Sequence, residues 1–99
     1  MKVEWSETAE RNRDQIADYI FYRFGYDSMA RFVEDVEQAV SMIESHPHIG
    51  PVEPLLADRA QMYRSLTVDK LSKMIYRVDG EAIYIVDFWD VRREPPKIG

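Results

Sequence analysis

Three runs of residues between positions 62 and 93 are typical of β-strands, and they decide the fold. The runs are Met62-Tyr-Arg-Ser-Leu-Thr-Val68, Lys73-Met-Ile-Tyr-Arg-Val78 and Ala82-Ile-Tyr-Ile-Val-Asp-Phe-Trp-Asp-Val-Arg-Arg93. The dipeptide Asp79-Gly80 lies before the third run, and between alternating runs it favours a two-residue type I′ hairpin turn. The sequence therefore predicts two linked antiparallel β-hairpins.

The alternation within these strands predicts which face of the sheet each residue occupies. The face toward the helices is predicted to carry Met62, Leu66, Val68, Met74, Tyr76, Val78, Ala82, Tyr84, Val86 and Phe88. The opposite face is predicted to carry Tyr63, Ser65, Thr67, Lys73, Ile75, Arg77, Ile83, Ile85, Asp87 and Trp89.

Four apolar residues on that opposite face, Ile75, Ile83, Ile85 and Trp89, would form an exposed patch of roughly several hundred Å², large enough to indicate a binding partner. Two alternatives stay open. In the first, the patch is covered by another part of the same chain: the first strand, residues 46–61 or the proline-containing tail, residues 94–99. In the second, a register slip of one residue exchanges the two faces.

Two helices are predicted before the sheet. Val3 and Trp5 alternate with polar residues as in a short strand, and Ser6 is suited to cap a helix over residues 7–24. The apolar residues of the second helix recur at helical spacing: Met29, Phe32, Val33, Val36, Val40 and Ile43. Gly25 is suited to end the first helix and Asp27 to cap the second. So short a turn between the two helices predicts an antiparallel helical hairpin. The expected fold class is α+β, with this hairpin packed on one face of a curved, mainly antiparallel sheet in the order β-α-α-β-β-β.

Composition limits the classes of function. The chain has 99 residues, 45% of them hydrophobic, which predicts a single domain over residues 1–99. It contains no cysteine, and this excludes disulfides, thiolate metal sites and cysteine nucleophiles. No metal site is expected, because His46 and His48 lack a third ligand, and no cofactor is expected, because no nucleotide-binding glycine loop occurs. The absence of a long apolar run predicts a cytoplasmic protein that does not enter a membrane.

Charge is distributed unevenly along the chain. Residues 1–58 carry 5 Lys/Arg against 12 Asp/Glu, a balance of −7, whereas residues 59–99 carry 8 against 6, a balance of +2. Because the net charge of −5 repels nucleic acid at long range, direct DNA binding is not expected without a further protein.

A set of segments occurs in a recognisable order along the chain: Val3 with Trp5, the helical hairpin, Pro47-His-Ile-Gly50, Tyr63-Arg-Ser-Leu66, Ile75-Tyr-Arg-Val78 and Val91-Arg-Arg93. In this order and spacing the chain resembles the ParE/RelE toxins of bacterial type II toxin–antitoxin systems. The resemblance covers nearly the whole chain. It implies a cognate antitoxin whose otherwise disordered segment folds across the toxin, and Ile75, Ile83, Ile85 and Trp89 are the residues that we expect to bind it.

One branch of this family consists of RelE-like, ribosome-dependent mRNA endonucleases. For that branch the resemblance implies that Arg64, Lys73, Arg77, Arg92 and Arg93 would hold the phosphate. Tyr76 or an unidentified base would then move the proton. Leu66 stands where the nuclease branch often has a second lysine, and the tail after Arg93 has no Tyr or His, so a proton-transfer group worth about 10²–10⁴ in rate is missing.

The ParE-like branch is the better match, and it implies inhibition of DNA gyrase by protein contact without catalysis. The expected target-binding residues are Trp89, Arg92, Arg93, Pro95 and Pro96, because the prolines extend the tail and guanidinium groups bind carboxylates. A third hypothesis is a domain of the same fold that has lost toxicity and acts as a binding or regulatory partner. Arg64 and Arg77 could also simply pair with Asp87, Asp90 or acidic side chains of the helices.

Overall fold

A computed structural model describes residues 1–91 of the chain. Its elements are β1 (Lys2–Trp5), α1 (Glu7–Phe24), α2 (Tyr26–Ser45), a 3₁₀ turn (Pro54–Leu56), β2 (Arg64–Asp69), β3 (Ser72–Asp79) and β4 (Ala82–Asp90). The predicted α+β class and the order β-α-α-β-β-β are confirmed. Arg92, Arg93, Pro95 and Pro96, which were predicted to bind the target, lie outside the described residues.

The four strands form one mixed sheet in the order β1-β4-β3-β2. β1 pairs in parallel with β4, whereas β4 with β3 and β3 with β2 are antiparallel. Ser6 joins β1 to α1: its hydroxyl accepts a hydrogen bond from the Ala9 N–H at 3.0 Å, as expected for an N-cap. The same hydroxyl donates to the Val86 carbonyl at 2.9 Å, which fixes the start of α1 against β4.

Both helices cover one face of the sheet because their apolar stripes have nowhere else to be buried. Phe32, Val36 and Ile43 of α2 pack with Met74 and Phe88 in the main core. Leu66, Val68, Met74, Tyr76, Val78 and Phe88 face the helices as predicted. Met62 was wrongly assigned to this face, since it precedes β2 and is exposed.

The predicted faces of β4 are wrong before its bulge. The two-residue turn between β3 and β4 consists of Gly80 and Glu81, one position later than predicted, and pairs Val78 with Ile83. Of these two turn residues only Gly80 has a positive φ, 62°, which is the pattern of a type II′ turn and not of a type I′ turn. A two-residue turn pairs an even-numbered residue with an odd-numbered one, and paired residues share a face. Ile83 and Ile85 therefore join the core under the helices.

A β-bulge then changes the alternation again. Ile75 pairs with Asp87 and Tyr76 with Ile85, so that Val86 is the extra residue. After the bulge Phe88 faces the helices and Trp89 faces away from them, as predicted.

The long connection between α2 and β2 closes over the second face of the sheet. Its residues 51–56, called the strap below, begin as a short antiparallel partner of β2: the Ser65 N–H donates to the Pro51 carbonyl at 3.0 Å, and the Glu53 N–H donates to the Tyr63 carbonyl at 2.8 Å. Leu56, at the end of the strap, packs on Ile75 and Trp89.

Candidate functional site

The structure separates the cations that were predicted to hold a phosphate. Arg64 lies opposite Tyr76 in the sheet and therefore on the side of the helices. Lys73 and Arg77 alternate with the inward-facing Met74 and Tyr76, so they lie on the side of the strap. The sheet thus stands between Arg64 and the other two cations.

Arg64 and Tyr76 hold the connection that follows α2. The Arg64 guanidinium donates to the Gly50 carbonyl at 2.8 Å and to the His48 carbonyl at 3.4 Å. The Tyr76 hydroxyl donates to the Pro47 carbonyl at 2.8 Å and accepts from the Gly50 N–H at 3.0 Å. Burial raises the pKa of Tyr76 above its ordinary value of 10.0, against smaller opposing effects of the Gly50 N–H and the Arg64 charge. Both side chains therefore act as structural supports in this fold.

The charge of Lys73 is balanced by Glu53, a residue of the strap. Its ammonium lies 2.7 Å from the carboxylate of Glu53, a residue that is only 1% exposed. Burial alone would raise the pKa of Glu53, but hydrogen bonds from Lys73, Ser65 and the Leu55 N–H, together with the charge of Lys73, hold it below 4.5. The Lys73 ammonium also lies 5.1 Å from the ring centre of Trp89. A substrate phosphate would have to compete with Glu53 for this lysine.

Arg77 lies apart from that pair, near the turn between β3 and β4. Its guanidinium is 3.2 Å from the Asp79 carboxylate and 4.5 Å from the ring centre of Tyr84. Arg77 thus pairs with an acidic side chain, but its partner is Asp79, whereas Asp87, Asp90 or an acid of the helices was predicted. Because the Asp79 side chain is 69% exposed, the pair contributes about 0–1 kcal/mol.

The four residues predicted to form an exposed apolar patch are all buried. Ile83 and Ile85 lie in the core under the helices, so their predicted face is wrong. Ile75 and Trp89 do lie on the opposite face, but Leu56 of the strap covers them and leaves Trp89 only 4% exposed. Within residues 1–91 the Trp89 indole N–H is buried without an acceptor. The internal covering by residues 46–61, one of the alternatives left open, is what the structure has.

A groove between the two helices is the candidate binding surface that sequence reasoning missed. It measures about 460 Å³, and its residues are Trp5, Arg13, Asp14, Ala17, Phe32, Val33, Val36, Glu37, Val40 and Ser41. Trp5 forms its base, stacked on Phe88 at 6.4 Å between ring centres, with the Arg13 guanidinium 4.7 Å above the indole. The signal was present in α2, where Val33 widens the apolar stripe beyond what the sheet covers and remains 41% exposed.

The described residues contain neither a group of potential metal ligands nor a helix that could span a membrane. Among residues 1–91 no three His, Cys, Asp or Glu side chains come together as metal ligands. Neither helix in that range combines the length and apolar character that crossing a bilayer requires.

Residues 3–95 match the family model of the ParE toxin of the type II toxin–antitoxin system parDE. No curated protein sequence matches the chain.

Solved structures share the fold at low sequence identity. The chromosomal ParDE system of P. aeruginosa is 22% identical with a TM-score of 0.73, over 91% of this chain and 95% of that one. The YoeB/ParE toxin of Agrobacterium tumefaciens is also 22% identical, with a TM-score of 0.62 over 91% and 98% of the chains. A toxin–antitoxin complex, the heterotetrameric YoeB–YefM of Staphylococcus aureus, is 14% identical with a TM-score of 0.54, over 88% and 92%. Since the family model spans all but a few terminal residues, the chain belongs to the ParE toxin family of type II toxin–antitoxin systems.

Proposed function

We propose that this toxin arrests growth in the cytoplasm by inhibiting DNA gyrase through protein contact, catalyses no reaction itself, and is neutralised by a cognate antitoxin. The observation that carries the proposal is how the structure places Arg64, Lys73 and Arg77, the three residues of the predicted phosphate site that lie within residues 1–91. Arg64 supports a loop, Lys73 is paired with Glu53, and Arg77 is paired with Asp79. A phosphoryl-transfer site needs cations that converge on one phosphate, and these three do not.

The same geometry argues against the endonuclease alternative. Proton transfer needs a group within hydrogen-bond reach of the reacting hydroxyl. The hydroxyl of Tyr76, the side chain suggested for this step, is engaged by Pro47 and Gly50 under the helices, on the other side of the sheet from Lys73. With the strap in place, the face that carries Lys73 is filled by Glu53 and Leu56.

We propose that the antitoxin occupies the groove between the helices. Its apolar base, formed around Trp5 and Phe32, suits the apolar stripe of an amphipathic segment that folds on binding. The charge of −7 on residues 1–58 favours an antitoxin segment with Lys or Arg beside that stripe. This replaces the patch formed by Ile75, Ile83, Ile85 and Trp89, which is buried in the fold.

Val33→Asp should weaken binding of the antitoxin about 100-fold. The change places a carboxylate at an apolar position of the groove lining. The loss of the apolar contact and the cost of removing the carboxylate from water together oppose binding by roughly 2–3 kcal/mol. Titration calorimetry with the protein of an adjoining small reading frame measures the effect. Val52→Asp is the matched control, because Val52 is 42% exposed against 41% for Val33 and lies on the strap. Equal weakening by both changes would exclude the groove.

Inducing the toxin without its antitoxin should trigger DNA-damage signalling while incorporation of labelled methionine continues. Arg92→Ala combined with Arg93→Ala should abolish the arrest and leave antitoxin binding within about 1–2 kcal/mol, because that binding rests mainly on apolar burial. The control pair is Arg11→Ala with Arg59→Ala, two arginines that are exposed outside the groove and the tail. An early collapse of methionine incorporation would support the nuclease alternative, and growth without arrest would support the non-toxic one.

A further inference from the structure

The tip of the helical hairpin exposes an unusual number of aromatic side chains. Phe21, Tyr22, Phe24 and Tyr26 are 47%, 87%, 61% and 67% exposed. With about 200 Å² for a fully exposed aromatic side chain, they leave roughly 500 Å² of aromatic surface within six residues. The summed area is comparable to the largest apolar patch on a typical monomer, which is often functional. Within it the Phe21 and Tyr22 rings lie edge to face, 6.1 Å apart between ring centres.

The backbone holds this tip firmly. Gly25 separates the helices with a φ of 94°, a backbone conformation that residues other than glycine rarely adopt. Its N–H donates to the Phe21 carbonyl at 2.9 Å, and its carbonyl accepts from the Met29 N–H at 3.2 Å. The rings therefore project from helix ends that are already ordered, so that binding through them costs little backbone entropy.

The tip is also where two acidic chains can approach each other. Residues 18–31 contain two acids, Asp18 and Asp27, and two bases, Arg23 and Arg31, and are neutral overall. Residues 32–45 contain four acids and no base, and the whole chain carries −5. A two-fold arrangement of tips brings both signs of charge from each copy together, whereas contact through the later part of α2 would set like charges against each other.

We propose that the aromatic tip, Phe21 to Tyr26, is a self-association surface that pairs with the same tip of a second copy. Two such surfaces bury at most roughly 1,000 Å² in total, which is below the size of standard specific interfaces, so the dimer is weak and reversible. The tip lies beyond the groove, whose α1 lining ends at Ala17 and whose α2 lining begins at Phe32. Antitoxin in the groove and a second toxin at the tip are therefore compatible, and this pairing does not depend on the proposed target.

Sedimentation equilibrium of the full chain from about 5 to 200 μM tests the pairing. The average mass of the wild type should rise from 11.7 kDa toward twice that value, and 0.5 M NaCl should not reverse the rise, because aromatic burial drives it. The variant Tyr22→Gln, Phe24→Gln, Tyr26→Gln should remain monomeric. The matched control replaces Ile49, Leu55 and Met62 by glutamine, which are 44%, 52% and 61% exposed elsewhere on the chain, and it should still dimerise.

Single cysteines give a test that does not require the triple variant to fold. Because the chain has no cysteine of its own, Tyr22→Cys should form a disulfide-linked dimer under mild oxidation at least ten times faster than Leu55→Cys. A wild type that stays monomeric at 200 μM would overturn the proposal, and so would equal cross-linking at both positions. Loss of binding to a different protein in the triple variant, with a monomeric wild type, would assign the tip to that protein instead.

Discussion

Lys73→Met should lower the free energy of unfolding by about 3 kcal/mol at pH 7. The change leaves the Glu53 carboxylate, 1% exposed, without the ammonium that lies 2.7 Å from it. Removing one partner of a buried ion pair typically costs 3–5 kcal/mol, and the lower end applies because Lys73 remains 22% exposed. Urea denaturation measures the change.

The double variant Lys73→Met, Glu53→Gln distinguishes two causes of the lower stability: the unpaired charge of Glu53 and the lost packing of the lysine side chain. Glutamine keeps the shape of Glu53 and can still bond Ser65 and the Leu55 N–H, so the double variant should recover about half of the loss. If it were as unstable as Lys73→Met alone, the lysine would contribute through the packing of its stem and not through its charge.

The pH dependence of these variants has a definite sign. In the wild type the folded pKa of Glu53 is below 4.5, so the stabilisation is complete above about pH 4.5 and is lost as the pH falls through the folded pKa. In Lys73→Met burial is opposed by fewer groups, so the pKa of Glu53 should be higher than in the wild type. As the pH falls, Glu53 then becomes protonated in the folded variant before it does so in the folded wild type. The difference in the free energy of unfolding between Lys73→Met and the wild type should therefore narrow as the pH is lowered from 7.

Gly50→Ala should cost about 2–3 kcal/mol and lower the melting temperature by roughly 10–20 °C. A Cβ at this position would lie 2.5 Å from the Ser65 carbonyl oxygen and 2.8 Å from the Tyr76 hydroxyl oxygen. Neither atom can yield easily, because one belongs to a strand and the other accepts the Gly50 N–H and donates to the Pro47 carbonyl. Thermal unfolding followed by circular dichroism measures the shift.

Ile49→Ala provides the control in the same loop. Ile49 is 44% exposed, and its truncation should change stability by no more than about 0.5 kcal/mol. A Gly50→Ala variant that melts with the wild type would show that the loop after α2 can move away from β2 and that the contacts of Arg64 and Tyr76 do not fix it.

The amino-acid pattern by itself determined the element order and the fold class. Helical spacing in α2 and alternation in β2 and β3 are local properties, and the burial of Phe32, Met74 and Tyr76 follows directly from them. The same locality explains Ser6 as the cap of α1, since the cap and the N–H that it binds are three residues apart.

Only the tertiary structure decided which surfaces are available for binding. The bulge at Val86 changes the alternation within β4 through pairing with β3, which no single run of residues encodes. The faces of Ile83 and Ile85, in contrast, follow from any two-residue turn between β3 and β4, so the predicted turn was already inconsistent with the faces predicted for them. Glu53 meets Lys73 from 20 positions away and Leu56 covers Trp89, so an apolar face that looked open is closed by the chain itself. The groove between the helices arises for the same reason: where two apolar stripes fail to meet depends on how the helices pack, and packing joins residues distant in sequence.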